Sequence, residues 1–350
     1  MAAEPLVSII IPHYLGDVIS ECLGYIYDRT GDLSFEVIVA DDQPYSDGSL
    51  ERATEKYPDI RVVKTGGGKG MGTGCNRGLE VAGGRYAMLL NNDVEVSEGW
   101  LHPLVNALEK DERIAACQPK VLSMQDRKRF DYGGAAGGLM DYFGYTFCLG
   151  RIFETVELDS GQYDTSKEIF WGVGGALFVR MTCVKQVGLM DEAFYMHMEE
   201  IDWCWRLRLA GYRILSIPDS VVYHFGGWTL KADSLKKAYY NHRNQLVMIL
   251  KNLSLERLFW TFPVRVCMEL GTVLLTAIKG DWKHPVAALA GLLWVITHPI
   301  SIFKRRRASQ AVRRVSDQEV AGSMYRGAVA IQYFLKGKRT ANLVLGRDGG

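Results

Sequence analysis

The chain is 350 residues long and 48% hydrophobic, and its 41 basic and 40 acidic side chains leave a net charge of +1. This length exceeds what one hydrophobic core usually serves, which predicts a main domain with a smaller appendage, and the balanced charge gives no reason to expect a nucleic-acid partner. The seven cysteines are scattered, odd in number and never spaced as CxxC, so the sequence predicts neither a zinc site nor a disulfide framework and fits a reducing, cytosolic compartment.

The first 95 residues alternate between short apolar runs and segments of helical spacing. The N-terminus enters the first apolar run without a basic and apolar leader before it, so no secretory signal is expected. The apolar runs predict strands at residues 6–11, 35–40, 60–64 and 86–90, and the helical spacing predicts helices at residues 17–29, 47–57 and 72–81. This succession predicts a doubly wound α/β sheet, whose ligands bind outside the carboxyl ends of its strands.

Each predicted strand ends in polar or glycine-rich residues that suit ligand binding. These are His13 and Tyr14, Asp41 and Asp42, the loop 66–69 with Lys69, and Asn92 and Asp93. Loops are polar in any protein, so strand-end polarity alone also has a purely structural explanation. The loop 66–72 lacks both the P-loop spacing and the full dinucleotide fingerprint, so neither of those sites is predicted.

Asp93 and His224 have the chemistry of divalent-metal ligands. Asp93 closes the fourth predicted strand, where a carboxylate can hold Mg²⁺ or Mn²⁺ against a diphosphate. His224 follows the strand-like run 221–223, and an imidazole can complete such a coordination shell. Each also has a structural explanation, because Asn-Asn-Asp is a common turn and a lone histidine beside aromatic residues is usually structural.

Three carboxylates lie within four positions at the start of a predicted amphipathic helix. They are Glu199, Glu200 and Asp202. Neighbouring positions on a helix point in different directions, so we expect at least one of these side chains to face the ligand cleft and act as a general base. The alternative is simple capping, since acidic residues at a helix N-terminus also complement its dipole.

The composition shifts after residue 220 towards a helical C-terminal region. Residues 234–252 predict an amphipathic helix, and the apolar stretches 258–278 and 286–303 follow it. Neither stretch is a clean membrane span, because proline and charged residues interrupt the first and His298-Pro299 the second. The basic cluster 304–307, with Arg313 and Arg314, predicts attraction to an anionic membrane surface, and a soluble helical subdomain is the alternative.

Taken together and in order, these segments resemble the family 2 glycosyltransferases with the GT-A fold, in particular the rhamnosyltransferase-like branch that builds cell-envelope polysaccharides. The resemblance is carried by residues 7–14 (VSIIIPHY), 37–42 (VIVADD), 74–78 (GCNRG), 90–95 (LNNDVE), 171–176 (WGVGGA), 199–202 (EEID) and His224. Each motif is weak by itself, and their common order is what identifies the family.

The resemblance implies a nucleotide-sugar site in the N-terminal half. Its residues would be Pro12 and Tyr14 at the base, Asp41 or Asp42 at the base or ribose, and Lys69, Asn76, Arg77, Asn92 and Asp93 along the rest of the donor. Asp93 and His224 would hold the metal. Asn91 stands where the family's DxD motif often has its first aspartate, which shifts metal binding towards His224.

The resemblance also implies an acceptor site and a reaction. Trp171, Gly174 and Gly175 would face the acceptor, with Trp171 stacked on a sugar ring. Glu200 would be the base, and Asp202 and Glu199 are the other catalytic candidates. Glu200 stands where the family has an aspartate, so the longer side chain is a departure from its pattern. Family members of this kind transfer the sugar by a single displacement that inverts the anomeric configuration.

The expected protein is therefore an α/β, GT-A type enzyme with a mixed sheet flanked by helices. Residues 1–230 would form the catalytic domain, with donor-binding residues 1–95 and acceptor-binding residues 96–230, and residues 231–350 a helical, membrane-associated region. It would need Mg²⁺ or Mn²⁺ and move a sugar such as rhamnose, galactose or galactofuranose from a UDP- or dTDP-sugar to a glycan or lipid-linked glycan at the cytoplasmic face of the cell membrane.

Two alternatives remain at this point. A sugar nucleotidyltransferase would need a glycine-rich, basic loop directly after the first strand, where this chain has Pro12-His13-Tyr14. A non-catalytic module that binds nucleotide sugars would keep the pocket without turnover.

Overall fold

A computed structural model describes residues 4–226 and 234–347, and its centre is a nine-stranded mixed sheet. The strands are β1 Val7–His13, β2 Phe35–Asp41, β3 Arg61–Lys64, β4 Tyr86–Leu90, β5 Val94–Val96, β6 Ile114–Ser123, β7 Gly138–Met140, β8 Thr146–Cys148, β9 Arg151–Ile152, β10 Thr155–Val156, β11 Lys167–Glu168, β12 Ala176–Arg180 and β13 Arg213–His224. The helices are α1 Val18–Arg29, α2 Ser49–Lys56, α3 Met71–Val81, α4 Leu101–Lys110, α5 Met181–Val187, α6 Glu199–Leu209, α7 Leu235–Asn252, α8 Leu255–Ile278, α9 Lys283–Thr297, α10 Pro299–Ala311, α11 Asp317–Ala321, α12 Val329–Phe334 and α13 Ala341–Leu345, with a 3₁₀ turn at Glu192–Phe194.

The strand order confirms the predicted α/β, GT-A type mixed sheet. The order is β11-β13-β6-β12-β4-β1-β2-β3, with β5 paired to β13. β1 runs parallel to β2 and β4, whereas β12 is antiparallel to both β4 and β6. The four strands and three helices predicted in the first 95 residues are all present. The antiparallel insertion of β12 departs from a purely parallel doubly wound sheet and places the second half of the chain beside the first.

Packing on both faces of β1 explains why that strand reads as an uninterrupted apolar run. Ile10 belongs to the core on one face of the sheet, and Ile9 and Ile11 belong to the core on the other. α3 lies so close to β1 that a Cβ atom at Gly78 would come within 2.2 Å of Ile10 Cγ2. A glycine at this position therefore lets α3 pack directly against β1.

A separate four-stranded sheet, β10-β9-β8-β7, covers one side of the second half of the chain. The C-terminal segment is hydrogen-bonded to this sheet and to the residue that follows β7. Thr155 Oγ1 lies 2.9 Å from the Tyr333 hydroxyl, and the Asp141 carboxylate accepts the Val329 amide at 2.9 Å. Burial raises the pKa of Asp141 to about 6. Sequence analysis did not predict this sheet, because its strands have only two or three residues each.

The C-terminal helices present an unusual distribution of polarity. In α8, Arg265 and Glu269 point inward, where Glu269 pairs with His242 at 2.7 Å, while Phe259, Trp260 and other apolar side chains face outward. α8 is the one described helix long and apolar enough to cross a membrane, and α9 with α10 meets the same test only as a pair bent by 80°. The break lies at the His298-Pro299 interruption seen in the sequence. The predicted domain boundary at residues 230 and 231 lies outside the described residues.

Candidate active site

The end of β13 brings His224 between two carboxylates. His224 Nε2 lies 3.2 Å from Asp93 Oδ1, at the end of the β4–β5 turn, and Nδ1 lies 3.2 Å from Asp131 Oδ1. Asn91 Nδ2 lies 3.0 Å from the same Nε2. Burial alone lowers the pKa of His224, but the hydrogen bonds and charges of Asp131 and Asp93 outweigh it and raise that pKa to about 10. The two predicted metal ligands are thus brought together.

The separation of Asp93 and His224 fits a divalent ion. Two atoms that bind one ion at about 2.1 Å and at right angles stand about 3 Å apart, which is close to the 3.2 Å observed between these groups. Within residues 4–226 and 234–347, no set of three or more His, Cys, Asp or Glu side chains is arranged to hold a metal ion. Asp93 and His224 are therefore two groups that could hold such an ion only together with further ligands.

Glu199, which is buried, and Glu200, which is half-buried, form a pair of neighbouring carboxylates. α6 begins at Glu199, and one carboxylate oxygen of each residue is buried without a hydrogen-bond partner. Burial, together with repulsion from Glu200, raises the pKa of Glu199 to about 8, and burial also raises the pKa of Glu200. The pKa of each carboxyl group is therefore closer to neutral pH than that of an exposed carboxylate, which suits a group that accepts a proton in a reaction.

The glycine turn after Trp171 separates the glutamate pair from the metal ligands. A Cβ atom at Gly174 would lie 3.3 Å from Glu200 Cβ, and one at Gly175 would lie 2.8 Å from the side-chain amide of Asn91. A side chain at either glycine would collide with these neighbours, so the turn packs closely between Glu200 and Asn91. Trp171 itself is buried, donates its indole N–H to the Leu139 carbonyl at 2.9 Å, and turns its ring into the core.

Asp202, the third carboxylate of α6, lies in a different environment. Its carboxylate is fully buried and accepts hydrogen bonds from Lys251 Nζ at 2.9 Å, Asn252 Nδ2 at 2.8 Å and Arg206 Nε at 3.2 Å. Lys251 also pairs with Asp191 at 2.5 Å. These donors fully engage Asp202 and join α6 to α7.

The adjacent aspartates after β2 have different surroundings. Asp42 is buried and accepts the backbone amides of Lys69 at 2.8 Å and Gly70 at 2.9 Å, and it also accepts the hydroxyl of Thr65. These hydrogen bonds to Asp42 fix the conformation of the glycine-rich loop. Asp41 is only half-buried and accepts the amide of Gln43 at 3.1 Å, so most of its carboxylate can still meet a ligand.

The other predicted donor residues surround the same edge of the sheet. Pro12 touches α3 at Gly74, Tyr14 is 40% exposed, and Lys69 is exposed on the loop that Asp42 holds. Asn92 Nδ2 donates to Nδ1 of the buried His13 at 2.9 Å, and the other ring nitrogen of His13 lies 2.9 Å from Ser49 Oγ.

Asn76 and Arg77, on α3, face the segment that precedes α6. The Asn76 side chain is buried, donates to the Met190 carbonyl at 3.0 Å and accepts the Met190 amide at 2.9 Å. Arg77 pairs with Glu80 at 2.9 Å and lies 3.8 Å from Glu192. Asn76 therefore links the two halves of the chain, and Arg77 remains partly exposed at the rim.

Sequence analysis missed Asp131 and His13 as parts of this site. The sequence places His13 among the strand-end residues that suit ligand binding but gives it no specific role, and it assigns no role to Asp131. The available signal for Asp131 was its position in the loop after the long apolar segment that forms β6, at the start of a stretch with four glycines in eight residues.

Comparison with known proteins agrees with this geometry. Residues 8–156 match the family model described as "Glycosyl transferase family 2". Over these residues the chain is similar to the family 2 glycosyltransferases. It is 25% identical over 244 residues to the N-acetylglucosaminyl-diphospho-decaprenol L-rhamnosyltransferase of Mycobacterium tuberculosis, an alignment that covers 65% of this chain and 78% of that protein. It is 24% identical to Rhamnosyltransferase WbbL of Escherichia coli, over 62% of this chain and 82% of that protein.

A solved structure shows the same fold. The crystal structure of GalNAc-T7 with UDP, GalNAc and Mn²⁺ superimposes with a TM-score of 0.62 at 15% identity, covering 95% of this chain. This chain spans 58% of the length of the GalNAc-T7 chain. The likeness confirms the predicted GT-A fold.

Proposed function

We propose that this chain is a family 2 glycosyltransferase, a metal-dependent, inverting enzyme that moves a sugar from a UDP- or dTDP-sugar to a hydroxyl of a glycan or lipid-linked glycan. The observation that carries the proposal is the placement of two groups on either side of the Gly172–Gly175 turn. A glutamate pair of raised pKa lies on one side, and the Asp93–His224 pair lies on the other. A base and a diphosphate anchor are the two things that a glycosyl transfer requires.

Glu200 is our choice for the general base. It lies against the glycine turn at Gly174 and has a buried carboxylate oxygen with no hydrogen-bond partner, whereas Asp202 is engaged by three donors. Glu200 would take the proton of the acceptor hydroxyl as that oxygen bonds to the anomeric carbon and the bond to the diphosphate breaks. Glu199, next to Glu200, would raise the basicity of the pair by repulsion.

Asp93 and His224 are the residues that would hold Mg²⁺ or Mn²⁺. Such an ion supplies positive charge that neutralises the leaving nucleoside diphosphate. Asp131 would keep the ring of His224 turned so that Nε2 faces the donor, and Asn91, at 3.0 Å from that nitrogen, would border the same position.

The donor site follows from the strand ends of the N-terminal half. We assign the nucleobase to Asp41 and the exposed Tyr14, with Pro12 as the wall, because Asp42 is already occupied by the loop 65–70. Lys69, Asn92 and Arg77 border the path towards the diphosphate. An aspartate can bind the imide of uracil and of thymine alike, so both UDP- and dTDP-sugars fit.

The C-terminal helices support a lipid-linked acceptor. α8, α9 and α10 expose a continuous series of apolar residues, which are Leu255, Phe259, Trp260, Val264, Leu270, Leu274, Leu275, Ile278, Trp282, Val286, Leu289, Leu293, Ile296, Ile300 and Phe303. Lys304 and Arg307 are exposed beside it. An apolar face next to basic side chains suits the headgroup region of an anionic bilayer, which would place the enzyme at the cytoplasmic face of the cell membrane, in cell-envelope polysaccharide synthesis.

The test is release of nucleoside diphosphate from a panel of UDP- and dTDP-sugars, with Mn²⁺ and a polyprenyl-diphosphate-linked N-acetylglucosamine acceptor. We expect release from one donor, lost with EDTA and reduced at least about 100-fold in Glu200→Gln, since general base catalysis contributes about 10²–10⁴-fold. Glu98→Gln, at an exposed carboxylate, is the matched control. Nucleotide binding without release from any donor would instead indicate a non-catalytic binding module.

A further inference from the structure

The backbone directly before the glutamate pair has an uncommon conformation. Positive φ angles occur at five non-glycine residues of the described chain, and three of them are Tyr195 (66°), His197 (61°) and Met198 (74°). Side chains disfavour this region, so such residues persist only where the surrounding structure fixes them, and they are frequent at active sites. Met198 is the residue that leads into α6, so the conformation of this segment sets the direction from which Glu199 and Glu200 enter the site.

One side chain of α7 contacts most of this segment. Asn244 is fully buried, and its Nδ2 lies 3.1 Å from the Phe194 carbonyl and 2.8 Å from each of the carbonyls of Met196 and His197. An amide nitrogen has two N–H groups, so the three carbonyls share two donors. The oxygen of Asn244 accepts Arg243 Nε at 2.8 Å, which fixes the orientation of the amide.

Arg243 extends the same interaction. Its Nη2 donates to the carbonyl of Ala193 at 2.9 Å and to that of Phe194 at 3.1 Å. The guanidinium also lies 5.1 Å from the Trp294 ring of α9, which holds it in place from the other side. The carbonyls of residues 193, 194, 196 and 197 thus all receive donors from two adjacent residues of one helix.

We propose that Asn244 is a positioning residue for the general base. Its amide holds residues 194–197 in the conformation that directs α6, and with it Glu200, towards the Gly174 turn. The inference rests on the proposed function, because Asn244 can position a general base only if Glu200 is the base that acts on the acceptor. Asn244 touches no part of the donor site described above, so its effect should fall on turnover and spare donor binding.

The first test replaces the donor groups of Asn244. Asn244→Asp keeps the size of the side chain but cannot donate to carbonyls, and Asn244→Ala removes the contact altogether. We expect kcat to fall about 10- to 100-fold in both, since small misplacements of a reacting group have effects of this size. The KM for the nucleotide sugar should stay within about twofold of the wild-type value, because that KM reports binding at the distant donor edge.

A glycine at residue 197 distinguishes a positioning role of Asn244 from a general loss of stability. His197→Gly removes the penalty for the positive φ angle, so in the Asn244→Ala background it should restore part of kcat. Thr30→Val is the matched control, since Thr30 is a buried side chain that bonds the Ile26 carbonyl and Trp100 far from α6. Thr30→Val should lower the melting temperature while leaving kcat unchanged.

Amide hydrogen exchange tests the inference independently of turnover. Peptides covering residues 194–202 should exchange faster in Asn244→Ala than in the wild type and in Thr30→Val, with no change in peptides of β1 or β4. Failure of the wild type to release nucleotide from any donor would overturn the proposed function, but the exchange result would still stand. Unchanged exchange at 194–202, or a kcat no lower than in Thr30→Val, would overturn the role of Asn244.

Discussion

Asp131 Oδ1 lies 3.2 Å from Nδ1 of His224, on the side of the ring opposite to Asp93. Asp131 is fixed in turn by the Gly133 amide, which donates to its other oxygen at 2.6 Å. A carboxylate in this position determines which histidine nitrogen is free for a metal and how the ring is oriented. Under the proposed function, Asp131 would therefore influence metal affinity through His224 although it is not itself a proposed ligand.

We expect Asp131→Asn to weaken Mn²⁺ binding in the presence of UDP by about 10- to 100-fold, which is the usual effect of removing such a partner. Isothermal titration calorimetry measures it directly. Asp126→Asn, which alters an exposed carboxylate paired with Arg129 three residues away, is the control and should bind Mn²⁺ like the wild type. Equal affinity in all three proteins would show that Asp131 has only a structural role.

The glutamate pair should make stability depend on pH in a defined direction. The pKa of Glu199 is raised to about 8 and that of Glu200 is raised as well, so the folded protein keeps protons that the unfolded chain has already released. The folded state binds more protons between the ordinary carboxyl pKa and the raised one. The free energy of unfolding contributed by the pair therefore falls as pH rises from about 4.5 to about 8.

Glu200→Gln removes one member of the pair and should raise the melting temperature at pH 8 by roughly 2–5 °C. The gain should be much smaller at pH 5, where the folded wild type already carries the protons. Differential scanning fluorimetry at both values gives the comparison, with Glu98→Gln as the exposed control. An identical gain at both pH values would mean that the charge of Glu200 does not destabilise the fold.

The first half of the fold was predictable because its signals are local. Apolar runs such as residues 6–11 mark strands buried on both faces, and the polar residue after each run marks the ligand edge. The role of each polar residue was not predictable, since Asp41 and Asp42 are adjacent in sequence but differ in their neighbours. Only the folded loop 65–70 shows that Asp42 is occupied and Asp41 is not.

Contacts between distant segments explain what the sequence could not show. The position of Asp202 beside Glu199 and Glu200 makes it a catalytic candidate in the sequence. In the fold its carboxylate accepts hydrogen bonds from Lys251 and Asn252, which belong to a helix much later in the chain. The sequence predicts that Trp171 stacks on a sugar ring of the acceptor. Its ring lies in the core instead, where Gly138 leaves room for it. Asp93 and His224 are an instance where two separate local signals point to residues that lie together in the fold.

Lys251 should be essential for stability because it is the buried cation between Asp191 and Asp202. Removing one partner of a buried pair costs about 3–5 kcal/mol, since the other charge is left uncompensated. We therefore expect Lys251→Met to lower the melting temperature by roughly 5–10 °C. The double variant Lys251→Met/Asp202→Asn should recover part of the loss, and its failure to do so would argue that Asp202 is not the charge that Lys251 compensates.

The exposed apolar face of α8 predicts separable apolar and electrostatic contributions to membrane binding. Phe259→Ser with Trp260→Ser removes two side chains that are 70% and 73% exposed, so it should weaken sedimentation with neutral and anionic vesicles alike. Lys304→Gln with Arg307→Gln should weaken binding to anionic vesicles alone, by about 30-fold at low salt, since each basic residue contributes about 1 kcal/mol near such a surface. Tyr45→Ser, which alters an exposed aromatic residue on the donor half, is the control. A wild-type protein that stays in the supernatant with anionic vesicles would favour a soluble helical subdomain. Its apolar face would then have to pack against another protein, because a large apolar patch exposed to water is unfavourable.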